Sequence, residues 1–136
     1  MPKDVQAINP PTLMKPSGFS HGYEVVGGKT LYIAGQIAKD KDGRLVGAGD
    51  IVAQFRQVCE NIRLLLASRG GQMSDVVKLT LYVLDVPGYK ARLKDLGPVY
   101  REYFGKHFPA MTLVGARDLF DAADGAMIEI EGVAIV

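Results

Sequence analysis

The sequence holds one cysteine and two histidines, almost no excess of either charge, and no apolar run near the ~18 residues that cross a membrane. Each shortage excludes a class. A lone Cys59 cannot close an internal disulfide, and one sulfur with the scattered His21 and His107 does not make a zinc site. No metal is therefore assigned, and a reducing cytoplasm is the expected home. Lys3, Asp4 and the pair Pro10-Pro11 stand where a signal peptide would need an apolar stretch, so neither export by that route nor membrane attachment is expected. Cations and anions number eight and six up to Ser68 and eight and nine after it, a net +1. Neither half carries the clustered Lys and Arg that bind phosphate backbones, which argues against nucleic acid as a partner. Sixteen glycines occur without a period, and no repeat or low-complexity tract appears, which removes solenoids and collagen-like arrays.

What remains is 136 residues, 48% hydrophobic and 23% charged, the composition of one globular domain spanning residues 1–136. Tyr23, Val25 and Val26 run into Gly27-Gly28 and then Leu31, Tyr32 and Ile33, the pattern of a hairpin with a glycine turn. Residues 39–49 read as a solvated loop, after which Asp50 is placed to cap a helix. From Ile51 the apolar positions Phe55, Val58, Cys59, Ile62, Leu65 and Leu66 follow one helical face, and Gly70-Gly71 ends it. Val77, Leu79, Leu81 and Val83 then alternate with Lys78, Thr80, Tyr82 and Leu84, a long strand. Between Val86 and Gly105 the spacing is helical, with Pro98 expected to break or kink it into two short helices or one bent one. Two strands, 111–116 and 126–136, flank the acidic loop 118–125. The fold class is α+β, in the order β-β-α-β-α-β-β, with a mixed sheet and its two main helices on one face. On the last strand Ile128, Ile130, Ala134 and Val136 face one way, and Met127, Glu129, Glu131, Val133 and Ile135 the other. Both faces read as largely apolar, so the face without helices is expected to pack against further copies of the chain.

Few residues offer chemistry. Glu129 and Glu131 lie two apart on one strand, with carboxylates on the same face roughly 7 Å apart. Two readings stand: solvated or ion-paired glutamates, or a partly desolvated carboxylate at a subunit boundary that positions and deprotonates water. Asp118, Asp121 and Asp124 recur every third residue, unlike the alternating ligands of a calcium loop. Cys59, on the apolar face of the long helix, reads as inert filler. No glycine-rich phosphate loop follows a strand, so no cofactor site is assigned.

Leu31-Tyr-Ile-Ala-Gly-Gln-Ile37, the amphipathic helix, the strand from Val76, Phe108-Pro-Ala110 and Ile128-Glu-Ile-Glu131, in this order, resemble the RidA (YjgF) family of reactive-intermediate deaminases over nearly the whole chain. The resemblance implies a chorismate-mutase-like fold, a homotrimer, and small-molecule clefts between subunits that hydrolyse enamines and imines without metal or cofactor. It places the water-orienting glutamate at Glu129 and the backbone groups that contact ligand at Gly35 and Leu113. The family's N-terminal tyrosine falls on Phe19, the serine before Gly-Gln on Ala34, a helix asparagine close to Gly97, and the carboxylate-binding arginine on Met111. A lost charge-assisted bidentate contact removes on the order of 1.5–3 kcal/mol of binding. The pattern therefore points away from 2-aminoacrylate, the archetypal substrate, and toward a less carboxylate-dependent enamine or imine. Arg117, His21 or a lysine of an adjoining subunit are the candidates for a replacement clamp. The alternative is a non-catalytic trimer of the same fold that binds a small metabolite. An endoribonuclease, as some members have been labelled, is opposed by the charge balance.

Overall fold

The computed structural model describes residues 2–136. Six strands and three helices follow in the order β1 (Asp4–Ile8), β2 (Gly22–Val26), β3 (Thr30–Gln36), α1 (Ile51–Ala67), β4 (Val76–Val83), α2 (Val86–Ala91), α3 (Leu93–Phe104), β5 (Ala110–Gly115) and β6 (Ile128–Ile135). The α+β class and the mixed sheet are as the periodicities predict. The main sheet runs β3-β6-β4-β5, with β4 and β5 parallel and the other pairs antiparallel. The parallel pair is joined by the α2–α3 crossover, as parallel neighbours require.

Two local expectations need correction. The first is the predicted hairpin of β2 with β3, because β2 pairs with the additional strand β1 in a separate two-stranded sheet. Gly27 and Gly28 do turn the chain, both at φ near +75 (75° and 73°), where glycine is favoured. A Cβ on Gly28 would also lie 2.6 Å from Ile135 Cγ2. The hydrogen bonds of β3, however, go to β6, and Lys29 and Val136 extend that ladder by exchanging N–H and C=O groups at 2.7 and 2.9 Å. The second concerns Pro98. The helical break falls at Arg92, whose φ of −110° and ψ of 16° separate α2 from α3, while Pro98 sits within α3 with its ring exposed.

The helix α1 forms where its cap predicts, with Asp50 Oδ1 accepting from the N–H groups of Val52 and Ala53 at 3.1 and 3.2 Å. With α3 it covers one face of the main sheet. Phe55, Val58, Ile62 and Leu66 of α1, Leu96, Val99 and Phe104 of α3, and Leu79, Leu81, Ile128 and Ile130 of the sheet form one core. Cys59 lies within it, and burial pushes its thiol up to about 12, which removes it as a nucleophile. One polar residue joins the core fully buried. Gln54 donates to the carbonyls of Gly47 and Gly125 (3.1 and 2.9 Å) and accepts from Met127 N–H at 2.8 Å, tying two loops to α1.

The opposite face carries no helix and is not apolar as read from β6 alone. Lys78, Thr80 and Tyr82 of β4 stand beside Glu129, Glu131 and Val133 of β6, with Tyr32 of β3 83% exposed. At its far end Gly28 approaches the Ile135 side chain, and Lys3 Nζ donates to Ile135 C=O at 3.0 Å. Among the described residues no helix is long and apolar enough to cross a membrane.

Candidate functional site

The uncovered face brings Glu129, Gly35 and Ala34 together. Glu129 stands opposite Tyr82 on β4, and its side chain reaches the irregular stretch of β3 between Ile33 and Gln36, where the register against β6 shifts by one residue. A Cβ on Gly35 would lie 2.0 Å from Glu129 Oε2, so glycine there leaves the space the carboxylate fills. Gly35 has no positive φ, and the close approach alone requires it.

The two glutamates are not equivalent. Glu131 is exposed and accepts the Tyr82 hydroxyl at 3.0 Å, and that bond, more than the smaller desolvation, pushes the Tyr82 phenol above its usual range. Glu129 is half-buried and accepts no hydrogen bond from another described residue. One carboxylate is consumed structurally. The other is available to a water or ligand. Lys78 brings a cation to the same face, where its Nζ donates to Thr112 Oγ1 at 3.1 Å.

Met111 and Leu113 point to the other side of the sheet. Both are half-buried against the helix-side core, in register with Leu79 and Leu81. Within one protomer the sheet therefore separates them from Glu129. Met111 contributes to a groove of about 320 Å³ between α3 and β5, whose aromatic side is Tyr89, Tyr100 and Phe108. Tyr100 and Phe108 stack with centroids 5.7 Å apart and planes 8° from parallel. The segment before β5 is held from three sides: Phe108 C=O accepts from Ser20 Oγ and Tyr23 OH, each at 2.7 Å, and His107 C=O accepts from Tyr100 OH at 2.6 Å.

Phe19 and His21 flank Ser20, which bridges to Ala110 at the start of β5. Their rings meet edge to face at 5.4 Å. His21 is not free to clamp a ligand with both nitrogens, because Nε2–H donates to Met14 C=O at 2.6 Å. Arg117 is exposed after β5 and forms no ion pair among the described residues. The acidic loop beyond it turns instead to Lys39, which pairs with Asp121 at 3.0 Å.

Two side chains at the groove were not picked out from sequence. Arg101 and Lys106 line it as exposed cations. Arg101 Nη1 lies 3.2 Å from the point a Cβ on Gly97 would occupy. The signal that would have found it is helical spacing, since Arg101 is one turn beyond Gly97 and beside the apolar stripe of α3.

Comparison with known proteins places the chain among relatives of one family and fold. Residues 13–136 match the family described as endoribonuclease L-PSP. The chain is 40% identical over 121 residues to a RutC family protein of Pyrococcus horikoshii, covering 88% of this chain and 89% of that one. It is 30% identical over 107 residues to the human 2-iminobutanoate/2-iminopropanoate deaminase, covering 79% of this chain and 73% of the relative. Among solved structures, a Rid family protein of Yersinia pestis superposes with a TM-score of 0.84 at 38% identity, covering 97% of this chain and 98% of that one.

Proposed function

The chain belongs to the endoribonuclease L-PSP family, which takes in the RidA (YjgF) proteins, and from that premise we propose that it is a hydrolytic deaminase of reactive enamines and imines. The observation that carries this reading is the carboxylate of Glu129, seated over Gly35, without a hydrogen-bond partner among the described residues, on a sheet face that its own helices do not cover. Glu129 and the Met111 groove lie on opposite sides of one sheet, so a cleft using both closes only between copies. A homotrimer in a reducing cytoplasm supplies that cleft.

Imine hydrolysis asks little of a protein. Water held by Glu129 adds through oxygen to the imine carbon, and the carboxylate takes one of its protons. The same proton passes to nitrogen, the carboxylate then carries the hydroxyl proton of the resulting carbinolamine to that nitrogen, the carbon–nitrogen bond breaks, and ammonia leaves as the carbonyl forms. No electrons are gained or lost. Positioning and a proton relay used twice supply the acceleration. The near-neutral charge and the slightly acidic second half favour this over RNA cleavage, despite the family's description.

A second reading rests on Phe19, Ala34 and Met111, whose side chains offer a ligand no hydrogen-bond donor and, beyond the weakly accepting Met111 thioether, no acceptor. It makes the chain a binder of a small apolar metabolite in the same clefts. One experiment separates the two: ammonia release from a panel of imines generated in situ from amino acids. Acceleration by the wild type that is abolished in Glu129→Ala supports the deaminase. No acceleration across the panel leaves the binding trimer. Solution scattering at micromolar concentration is expected to give three times 14.7 kDa, and a monomeric mass contradicts the shared cleft.

A further inference from the structure

We infer that Tyr89 is a specificity-determining residue of the proposed reaction: its hydroxyl selects substrates whose apolar side chain ends in an uncharged hydrogen-bond acceptor. The inference rests on the deaminase reading for the reaction, and on separate observations for the residue.

An inventory of phenols is the first. Of the six tyrosines, Tyr23, Tyr82, Tyr100 and Tyr103 each donate to a protein acceptor, in turn Phe108 C=O, Glu131, His107 C=O and Glu60. Tyr32, 83% exposed, is left to solvent. Tyr89 alone is half-buried and donates to none of the described residues. Its oxygen is not sealed off either, because no side-chain oxygen among the described residues is both closed to solvent and unpaired. A donor so placed is open to whatever enters the cavity it faces.

Location is the second observation. Tyr89 stands on α2, just after the Asp85 cap, whose Oδ1 accepts from Gly88 N–H at 3.0 Å. Its side chain borders the Met111 groove and also a void of about 20 Å³ among Met111, Cys59 and Tyr100. Burial, and after it the nearby Cys59 thiol, pushes the Tyr89 phenol up to about 12. Tyr89 in turn adds to the upward shift that burial, Tyr23 and Cys59 impose on Tyr100. The hydroxyl therefore lies toward the inner end of the groove, and at neutral pH it is a protonated donor.

The void is the third. About 20 Å³ holds one water or one small group, and a buried water needs about two to four polar partners. Here the Tyr100 hydroxyl is engaged by His107, Cys59 offers only a weak thiol, and Leu79, Leu81, Phe104 and Ile130 are apolar. Water is a poor occupant. A charged group fares worse, since it would lose its hydration with no counter-charge in the void. The occupant that fits is the end of an apolar chain carrying an ether or carbonyl oxygen, which accepts from Tyr89 while its carbons meet the apolar walls.

The test uses the full-length protein and imines generated in situ from O-methylhomoserine and norleucine, whose side chains differ by an ether oxygen in place of a methylene. The ether imine is expected to show a kcat/KM about fivefold higher, carried by KM. Tyr89→Phe brings the two within about twofold by raising KM for the ether alone, with melting temperature unchanged because the lost hydroxyl has no partner among the described residues. Tyr100→Phe is the contrast: it strands His107 C=O and lowers the melting temperature, while the ether preference survives. Equal handling of the two imines by the wild type, a preference that survives Tyr89→Phe, or one lost equally in Tyr100→Phe overturns the assignment. Calorimetric affinities for the two corresponding 2-oxo acids separate this role from the reaction. If no imine is turned over while the ether-bearing 2-oxo acid binds about fivefold more tightly and only with Tyr89 present, the deaminase reading fails and the selecting hydroxyl stands. Turnover that needs Glu129 but shows no Tyr89-dependent preference in either measurement leaves the reaction and removes this role. Absence of both turnover and binding overturns both.

Discussion

The two faces of the main sheet are built from the same strands and do opposite work. On the helix side Leu79, Leu81, Ile128 and Ile130 are each no more than 2% exposed and belong to one apolar core. On the other side Lys78, Thr80, Tyr82, Glu129 and Glu131 alternate with them and meet no helix. The period of two in β4 and β6 thus separates the apolar core from the proposed reacting face within a few ångströms. Damage to one face is expected to appear as unfolding, and damage to the other as lost activity in a folded protein.

The strongest break of that contrast is Ile130→Ala. Its side chain is 1% exposed, and the cavity left behind is expected to cost about 2–5 kcal/mol, read as a lower denaturant midpoint. A loss under 1 kcal/mol contradicts the division. Next is Gly35→Val, which puts a branched side chain into the space of the Glu129 carboxylate. Imine hydrolysis is expected to fall about 100-fold with little change in melting temperature, because only the reacting geometry moves. Third is Gln54→Ala. It strands Met127 N–H and the carbonyls of Gly47 and Gly125, for about 1–3 kcal/mol by denaturant titration, with the turnover of the remaining folded protein unchanged. The smallest effect belongs to Tyr82→Phe, which removes the exposed bond to Glu131 and changes stability by less than about 1 kcal/mol.

Local signals in the sequence carried much of this. Asp50 before an apolar stripe announces α1, and the alternation from Val76 announces β4, because both depend on neighbours a few residues away. The pairing of β2 was not legible for the complementary reason. Gly27-Gly28 reports a turn, but which strand β2 then meets depends on β6, about a hundred residues later, having taken the hydrogen bonds of β3. β1, exposed along Asp-Val-Gln-Ala-Ile except at Val5, is too short and buries too little apolar surface for its alternation to reveal it. The site divides along the same line. Glu129 and Gly35 were readable as motif residues, whereas their contact needs the register of β3 on β6. Gln54, polar within an apolar stripe, declares its role only when the loops at 47 and 125 converge on it.

Glu129 is proposed as the working carboxylate and Glu131 as a structural one, two residues away on the same face. The direct measurement is imine hydrolysis by Glu129→Gln and Glu131→Gln side by side, followed as ammonia release by proteins of matched melting temperature. A loss of about 10²–10⁴-fold is expected for Glu129→Gln and a rate within about threefold of wild type for Glu131→Gln. Equal losses in the two variants, or full activity in Glu129→Gln, would contradict it.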